Sequence, residues 1–254
     1  IVYLKPMKIS VITAVYNRCD TLADVVVSLQ AQTHGNFEHV VMDGGSTDGS
    51  VEILNQLADP RMSLTSERDD GIYDALNRGM KRATGDVIGL MHSDDVFASP
   101  SVLELVARAF EDRDVDAVYG DLQYVSAKHP DRVIRHWMAG EFSASKLKRG
   151  WMPPHPSLYL RKSVIDRWGG YDTSYQNAAD YDAVLRWFGK RRVQAIYVQE
   201  VFVKMRVGGE SNRSVERVVQ KSREDYRALR SNEVGGVSAL VWKNLSKLGQ
   251  FRVK

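Results

Sequence analysis

The sequence predicts an α/β fold. The expected architecture is a mainly parallel sheet with helices on both faces, a smaller antiparallel portion, and a helical C-terminal tail. Three observations carry this. β-branched runs alternate with helix-period stretches from residue 8 to 112. Strand–helix alternation of that kind gives parallel strands with crossover helices. Polar clusters then fall where the strands end, at Thr13 to Arg18, Asp43 to Asp48, Glu67 to Asp70 and Ser93 to Asp95. In parallel sheets ligands bind at those carboxyl ends. Finally, from about residue 116 the runs read as antiparallel strands.

The elements follow in order. KISVITAVY (8–16) is a β-branched strand, and TLADVVVSLQAQ (21–32) has helical periodicity. FEHVVMD (37–43) is a second strand, followed by a helix over 47–59 capped by Thr47 or Asp48. RMSLTSE (61–67) is a third strand. Over 71–83, Ile72, Ala75, Leu76, Met80 and Ala83 share one helical face. GDVIGLMHSDD (85–95) is a fourth strand, and 100–112 is a helix with Pro100 near its first turn. DAVYGDLQYV and DRVIRHW read as strands, and PPHPSLYLRK (153–162) as a loop running into one. Residues 178–190 are helical, 193–207 strand-like and 208–214 a loop, and the tail from Val215 is helical and basic.

The bulk numbers set bounds. A chain of 254 residues holds one large α/β domain or a domain with an appendage. The net charge of +3 is too small to argue for a nucleic-acid partner. The single cysteine, Cys19, leaves no internal disulfide and no cysteine-rich metal site, and fits a reducing, cytoplasmic compartment. No apolar run is long enough to span a membrane. Met7-Lys8 followed by a β-rich run reads as a natural start, which leaves residues 1–6 outside the fold argument.

Several clusters carry candidate chemistry, each with a plainer reading. Asp94 and Asp95 follow the apolar run VIGLM. A hard divalent cation takes oxygen ligands, and Mg²⁺ binds through one or two carboxylates plus substrate phosphates. The alternative is a solvated turn. In VVMDGGSTDGS, Asp43 ends a strand and the glycines permit a tight turn, without the dinucleotide-binding spacing. Asp70-Gly71 opens a helix whose polar face carries Asp74, Asn77, Arg78 and Lys81, where a helix N-terminus favours acceptors and anions. Asp180 and Asp182 open another helix, and acidic residues there are commonplace. His155 sits between Pro154 and Pro156 in a stiff loop.

Taken together, SVITAVYNRCDTL, DGGSTDGS, SERDDGIYDALNRGMKRATGDVIGLMHSDD and HPSLYLRKSVIDRWGGYDTSYQNAADYDAVLRWF resemble the inverting family-2 glycosyltransferases of bacterial polysaccharide biosynthesis. The resemblance spans roughly residues 7–210. It implies a GT-A fold with a Rossmann-like sheet, a nucleotide-sugar half (7–115), an acceptor half (116–210) and a basic tail (215–254). It implies a UDP-sugar donor, Mn²⁺ or Mg²⁺ as cofactor, and a saccharide or lipid-linked saccharide acceptor. Residue by residue, Thr13, Ala14 and Tyr16 would line the uridine pocket and Asp43 would bond the uracil. Asp70 would contact nucleotide or sugar, with Asn77 and Lys81 nearby. Asp94 would lie by the ribose, His155 would face the diphosphate, Asp95 would bind the metal and Asp180 would be the general base, with Asp182 next in line. Ser93 at the first D-x-D position, His92 beside it and Ala179 before Asp180 depart from the family pattern.

Two rivals differ in class. A sugar-nucleotidyltransferase needs a glycine-rich basic loop after the first strand, and TAVYNRCDTL has no glycine. A non-catalytic nucleotide-sugar binder would show affinity without turnover. In SALVWKNLSKLGQFRVK (238–254), Leu240, Val241, Leu245, Leu248 and Phe251 fall near one helical face, with Lys243, Lys247, Arg252 and Lys254 and no acidic residue. The tail is therefore expected either on an anionic membrane, placing the chain peripherally on the inner face of the plasma membrane, or packed on the domain or on a second subunit.

Overall fold

The computed structural model describes residues 7–189, 193–207 and 215–246. The first half alternates β1 (Ile9–Val15), α1 (Cys19–Gln30), β2 (Phe37–Asp43), α2 (Ser50–Leu57), β3 (Met62–Ser66), α3 (Ile72–Arg82), β4 (Val87–Leu90), β5 (Asp95–Phe97) and α4 (Val102–Ala109). The second half adds β6 (Ala117–Ser126), β7 (Val133–Trp137), α5 (Ala144–Leu147), a 3₁₀ turn (His155–Ser157), β8 (Leu158–Arg161), α6 (Lys162–Trp168), α7 (Ala179–Phe188), β9 (Ala195–Val207), α8 (Val215–Ser231) and α9 (Val237–Ser246).

One sheet runs through both halves in the order β3-β2-β1-β4-β8-β6-β9-β5, with β7 on β6. β1 pairs in parallel with β2 and β4, and β2 with β3. β8 is antiparallel to β4 and β6. The second half is not wholly antiparallel as expected, because β9 runs parallel to β6. The expected fourth strand also divides. It stops at Leu90, and Asp95 starts the short β5, which pairs antiparallel with β9. The break lets residues 91–94 leave the sheet.

Alternation along the strands sorts the core into two layers. Ile9 and Val11 of β1 join Val25 and Leu29 of α1 and Val102, Leu103 and Val106 of α4. Ile12 faces the other way, with Leu76 and Met80 of α3 and Trp187 of α7. Burying a large apolar side chain stabilises the fold by roughly 1.5–3 kcal/mol, so these two layers outweigh any single polar contact. α3 lies close on β1: a Cβ on Gly79 would sit 2.4 Å from Ile12 Cγ2.

The last helices pack onto this second layer. Ala228 and Leu229 of α8 and Ala239 of α9 are buried. Asp225 and Lys243 form a buried ion pair at 2.7 Å, and the ammonium lies 3.2 Å from the Tyr181 ring centroid. The first part of the tail is thus docked on the domain. Residues 247–254, and with them Lys247, Leu248, Phe251, Arg252 and Lys254, lie outside the described residues.

Candidate active site

A cleft of about 1130 Å³ opens over the carboxyl ends of β1, β2 and β4. Ala14, Tyr16 and Arg18 reach it from β1 and its following turn, Gly44 from the turn after β2, and Arg68 and Asp69 from the loop before α3. His92, Ser93 and Asp94 enter from the break between β4 and β5. Across from them stand Tyr73 of α3, His155, Gln176, Asn177, Asp180, Arg206 of β9, and Gln220 and Lys221 of α8.

Each position has a local cause. The Thr21 hydroxyl at the start of α1 donates to Ser93 O at 2.7 Å and pins the turn that carries Asp94. Glycine at 44 makes room for Asp69, since a Cβ there would lie 2.6 Å from an Asp69 carboxylate oxygen. Gly45 has φ +86°, a left-handed conformation that favours glycine. Asn77 does not face the cleft. It donates to Tyr171 O and accepts from Tyr171 N–H, both at 2.8 Å, and latches α3 to the loop before α7. Tyr171 in turn stands 2.6 Å from His155 Nε2.

Several sequence expectations are corrected by these placements. Asp95 does not face the cleft. Pairing β5 with β9 buries it completely beside the Arg206 N–H, with no side-chain hydrogen-bond partner. Burial, with Asp94 adding, pushes its pKa well above the usual range. Asp94 is the carboxylate of the doublet that lines the cavity. The same shift by one residue affects Asp70, which is exposed while Asp69 lines the cleft. Thr13 is buried, its hydroxyl 3.0 Å from His39 Nε2. Asp43 is buried beneath the cleft floor, accepting from the Gly45 and Ser46 N–H groups and the Ser46 and Ser66 hydroxyls. Lys81 is exposed and does not line the cleft. Asp182 is buried, accepting from Arg186 and Asn232, which removes it as a substitute for Asp180.

Ala14, Tyr16, Asp94, His155 and Asp180 are brought together as expected. The sequence reading missed Arg18, Arg68, Asp69, Tyr73, Arg206 and Lys221. Asp69 was signalled by the D-x-G spacing before α3. Lys221 had no local signal, because α8 reaches the cleft only through tertiary packing.

The electrostatics centre on Asp180. Burial resists its charge, but His155, Lys221, Lys243 and the Tyr181 N–H outweigh it, and the carboxyl titrates below its ordinary range. His155 itself is pushed down to about 4 by burial, against the pull of Asp180. Near neutrality that ring is uncharged. His92 is likewise depressed by burial, with Asp94 and Asp180 opposing. The His92 and His155 ring centroids are 6.0 Å apart. Tyr73 is pushed up by burial and by Asp180. The site thus sets the ionised Asp180 among uncharged rings, with Asp69 and Asp94 also lining the cleft.

A mixed sheet thus carries a polar cleft over the ends of its parallel strands, with Asp180 across from the Asp94 turn. The chain matches Glycosyl transferase family 2 over residues 10–168 and belongs to that family. Asp180 and α8 lie beyond the matched residues. An uncharacterized glycosyltransferase of Mycobacterium tuberculosis is 33% identical over 183 residues, covering 70% of this chain and 68% of that one. A PGL/p-HBAD biosynthesis glycosyltransferase of the same species is 30% identical over 213 residues, covering 82% and 80%. Among solved structures, S. aureus TarS 1–349 in complex with UDP-GlcNAc superposes with TM-score 0.68 at 18% identity, covering 90% of this chain and 66% of that one. A longer TarS structure is spanned over 39% of its chain. The mannosyltransferase PcManGT of Pyrobaculum calidifontis, in complex with GDP-Man and Mn²⁺, gives TM-score 0.66 at 18% identity over 97% and 73%. These likenesses establish the GT-A-type architecture, and the family establishes a glycosyltransferase.

Proposed function

We propose that this glycosyltransferase moves a sugar from a nucleotide-sugar, a UDP-sugar, to an acceptor hydroxyl with inversion at the anomeric carbon. The observation that carries the reading is the ionised Asp180 facing the Asp94 turn across one cleft. The donor lies over the carboxyl ends of β1, β2 and β4, between Tyr16 and Asp69. The likeness to the UDP-GlcNAc complex of TarS supports uridine as the base.

A divalent cation fits this site in one specific way. Among the described residues, no three His, Cys, Asp or Glu side chains gather into a protein-only cage. Mg²⁺ and Mn²⁺ need none, since substrate phosphates complete the shell around one or two carboxylates. Asp94 is the carboxylate in place to hold it. Bound with the diphosphate, the cation supplies Lewis-acid neutralisation of the leaving group.

The chain's own residues do the rest. Asp180 accepts the acceptor hydroxyl's proton as that oxygen attacks the anomeric carbon. The bond from that carbon to the diphosphate oxygen breaks, and the nucleoside diphosphate leaves on the opposite face. One in-line displacement inverts the centre. Arg68 and Lys221 offer positive charge around the leaving group and the acceptor.

We assign the acceptor to a lipid-linked or polymeric saccharide. Val237, Val241 and Trp242 of α9 are all at least half exposed. No acidic residue follows Glu233, while Lys247, Arg252 and Lys254 do. An apolar helix face with basic neighbours suits an anionic membrane surface. No described helix is long and apolar enough to cross a membrane.

The test is release of nucleoside diphosphate from a panel of UDP-, dTDP- and GDP-sugars, with Mn²⁺ and with EDTA. Release from a UDP-sugar that EDTA abolishes supports the reading. EDTA-resistant turnover would remove the metal, and preference for a GDP-sugar would remove uridine.

A further inference from the structure

The helix that carries Asp180 has no cap of its own. Its N-cap residue, Ala178, offers no side-chain acceptor. The first amides of a helix lack intrahelical partners and need acceptors from elsewhere. The N–H of the N-cap Ala178 and those of the two residues before it, Gln176 and Asn177, all donate to one carboxylate, Glu224 of α8, at 3.1, 3.3 and 2.7 Å. The next two amides, of Ala179 and Asp180, face the Tyr73 hydroxyl. One side chain from another helix therefore satisfies three successive amides just before the base.

Glu224 belongs to a stripe. Gln220 donates to Gln176 Oε1 at 2.7 Å. Arg227 donates to the Ser174 hydroxyl at 2.8 Å, and its guanidinium lies 4.3 Å from the Tyr175 ring centroid. The Ser231 hydroxyl lies 3.4 Å from Tyr175 OH. Positions 220, 224, 227 and 231 follow the spacing of one helical face. That face grips the segment delivering Asp180.

We propose that Glu224 is a positioning residue for sugar transfer, fixing the turn 176–180 and through it the placement of Asp180 in the cleft. The proposal rests on the reading of Asp180 as the base. The position supports more than general stability. Ala228 and Leu229 are fully buried and hold α8 on the domain independently of the carboxylate. A negative group at a helix N-terminus is also favoured by the helix dipole. Removing it leaves α8 docked and loosens the few residues before the base.

The experiment compares the full chain with Glu224→Ala and Glu224→Gln by hydrogen exchange and by kinetics. In Glu224→Ala, exchange in the 174–182 peptide should rise at least about tenfold, the scale of one lost charge-assisted hydrogen bond. Peptides from β1 and α3 should not change. Turnover should fall by a similar factor, with donor KM and UDP affinity unchanged. Glu224→Gln keeps one acceptor oxygen and should lie between, and it carries the test if the alanine variant fails to fold. Unchanged exchange at 174–182, or a rise in donor KM with kcat intact, overturns the proposal. Full turnover in Asp180→Asn overturns the base assignment instead, and the exchange data separate the two failures.

Discussion

On the proposed donor side of the cleft, the side chains facing the cavity sit at the end of β1 and on the segments that follow β1, β2, β3 and β4. On the facing side, Asp180, His155 and Lys221 come from a helix start, a 3₁₀ turn and a helix packed on from the C-terminus. On the donor side parallel ladders fix where each turn emerges, and side chains close in sequence or on neighbouring strands, such as Asp43 on Ser46 and Ser66, trim it. The acceptor side is held by side chains: Asn77 on Tyr171, Glu224 on three amides, Lys243 on Asp225. The lesson is that a sheet delivers residues to a rim by topology, whereas a helix start must be tied down by residues distant in sequence. Substitutions on the acceptor side should therefore alter turnover while leaving donor affinity near wild type.

The largest expected effect tests that division directly. Asp180→Asn should reduce transfer by ~10²–10⁴, the usual contribution of a positioned base. UDP affinity by calorimetry should stay near wild type. Loss of UDP binding in parallel would place Asp180 on the donor side and break the comparison.

Next is the Asp94–Asp95 pair. Asp94→Asn should lower Mn²⁺-dependent turnover by about a hundredfold, the lower range for removing a group that stabilises leaving-group charge. Asp95→Asn should retain turnover, because its side chain is buried beneath the cleft. A metal titration of both variants checks this, and the reverse ranking would return the metal to Asp95.

This pair also marks how far the sequence could be read. The strand–helix order and the rim of polar strand ends were legible, because period and topology are local signals. Which member of a doublet enters a cleft was not. Asp69-Asp70 and Asp94-Asp95 each offered two carboxylates, and in both cases the first lines the cavity. At 94–95 the choice depends on β9 pairing with β5, a partner more than a hundred residues later. Asn77 misled for a similar reason: its helical position suggested the polar face, but Tyr171 claims its amide. Glu224 and Lys221 carried no signal, since nothing in α8 names the segment it grips.

A smaller effect concerns stability on the donor side. Burial lowers the His39 pKa to about 4 from 6.5. The folded state thus resists a proton that the unfolded chain accepts. The resulting stability is fully present above about pH 6.5 and is lost as pH falls towards 4, up to roughly 3 kcal/mol. Urea unfolding at several pH values should show a shallower acid loss in His39→Gln than in wild type. Parallel pH profiles would mean that His39 protonates in the folded protein as easily as in the unfolded one, and the donor-side core would then be wetter than its packing indicates.

The smallest effect concerns α9, where the acceptor side meets the surface. Truncating the helix is a poor test. It would strip Lys243 from Asp225 and leave a buried carboxylate unpaired, which is strongly destabilising. Val241 and Trp242 are half exposed and can be changed without touching that pair. Val241→Ser with Trp242→Ser should weaken sedimentation with phosphatidylglycerol-containing vesicles between about three- and tenfold, because each side chain inserts only in part. Vesicles of phosphatidylcholine alone should bind less of either protein, since the basic residues beyond the helix need anionic lipid, each worth ~1 kcal/mol near such a surface. Equal sedimentation of wild type and variant would sink the membrane assignment. A concentration-dependent dimer that the double substitution abolishes would give the same face to a second copy of the chain. Either result would leave the Asp180 reading standing, because the residues before Asp180 are held by α8, whose contacts there do not involve the exposed face of α9.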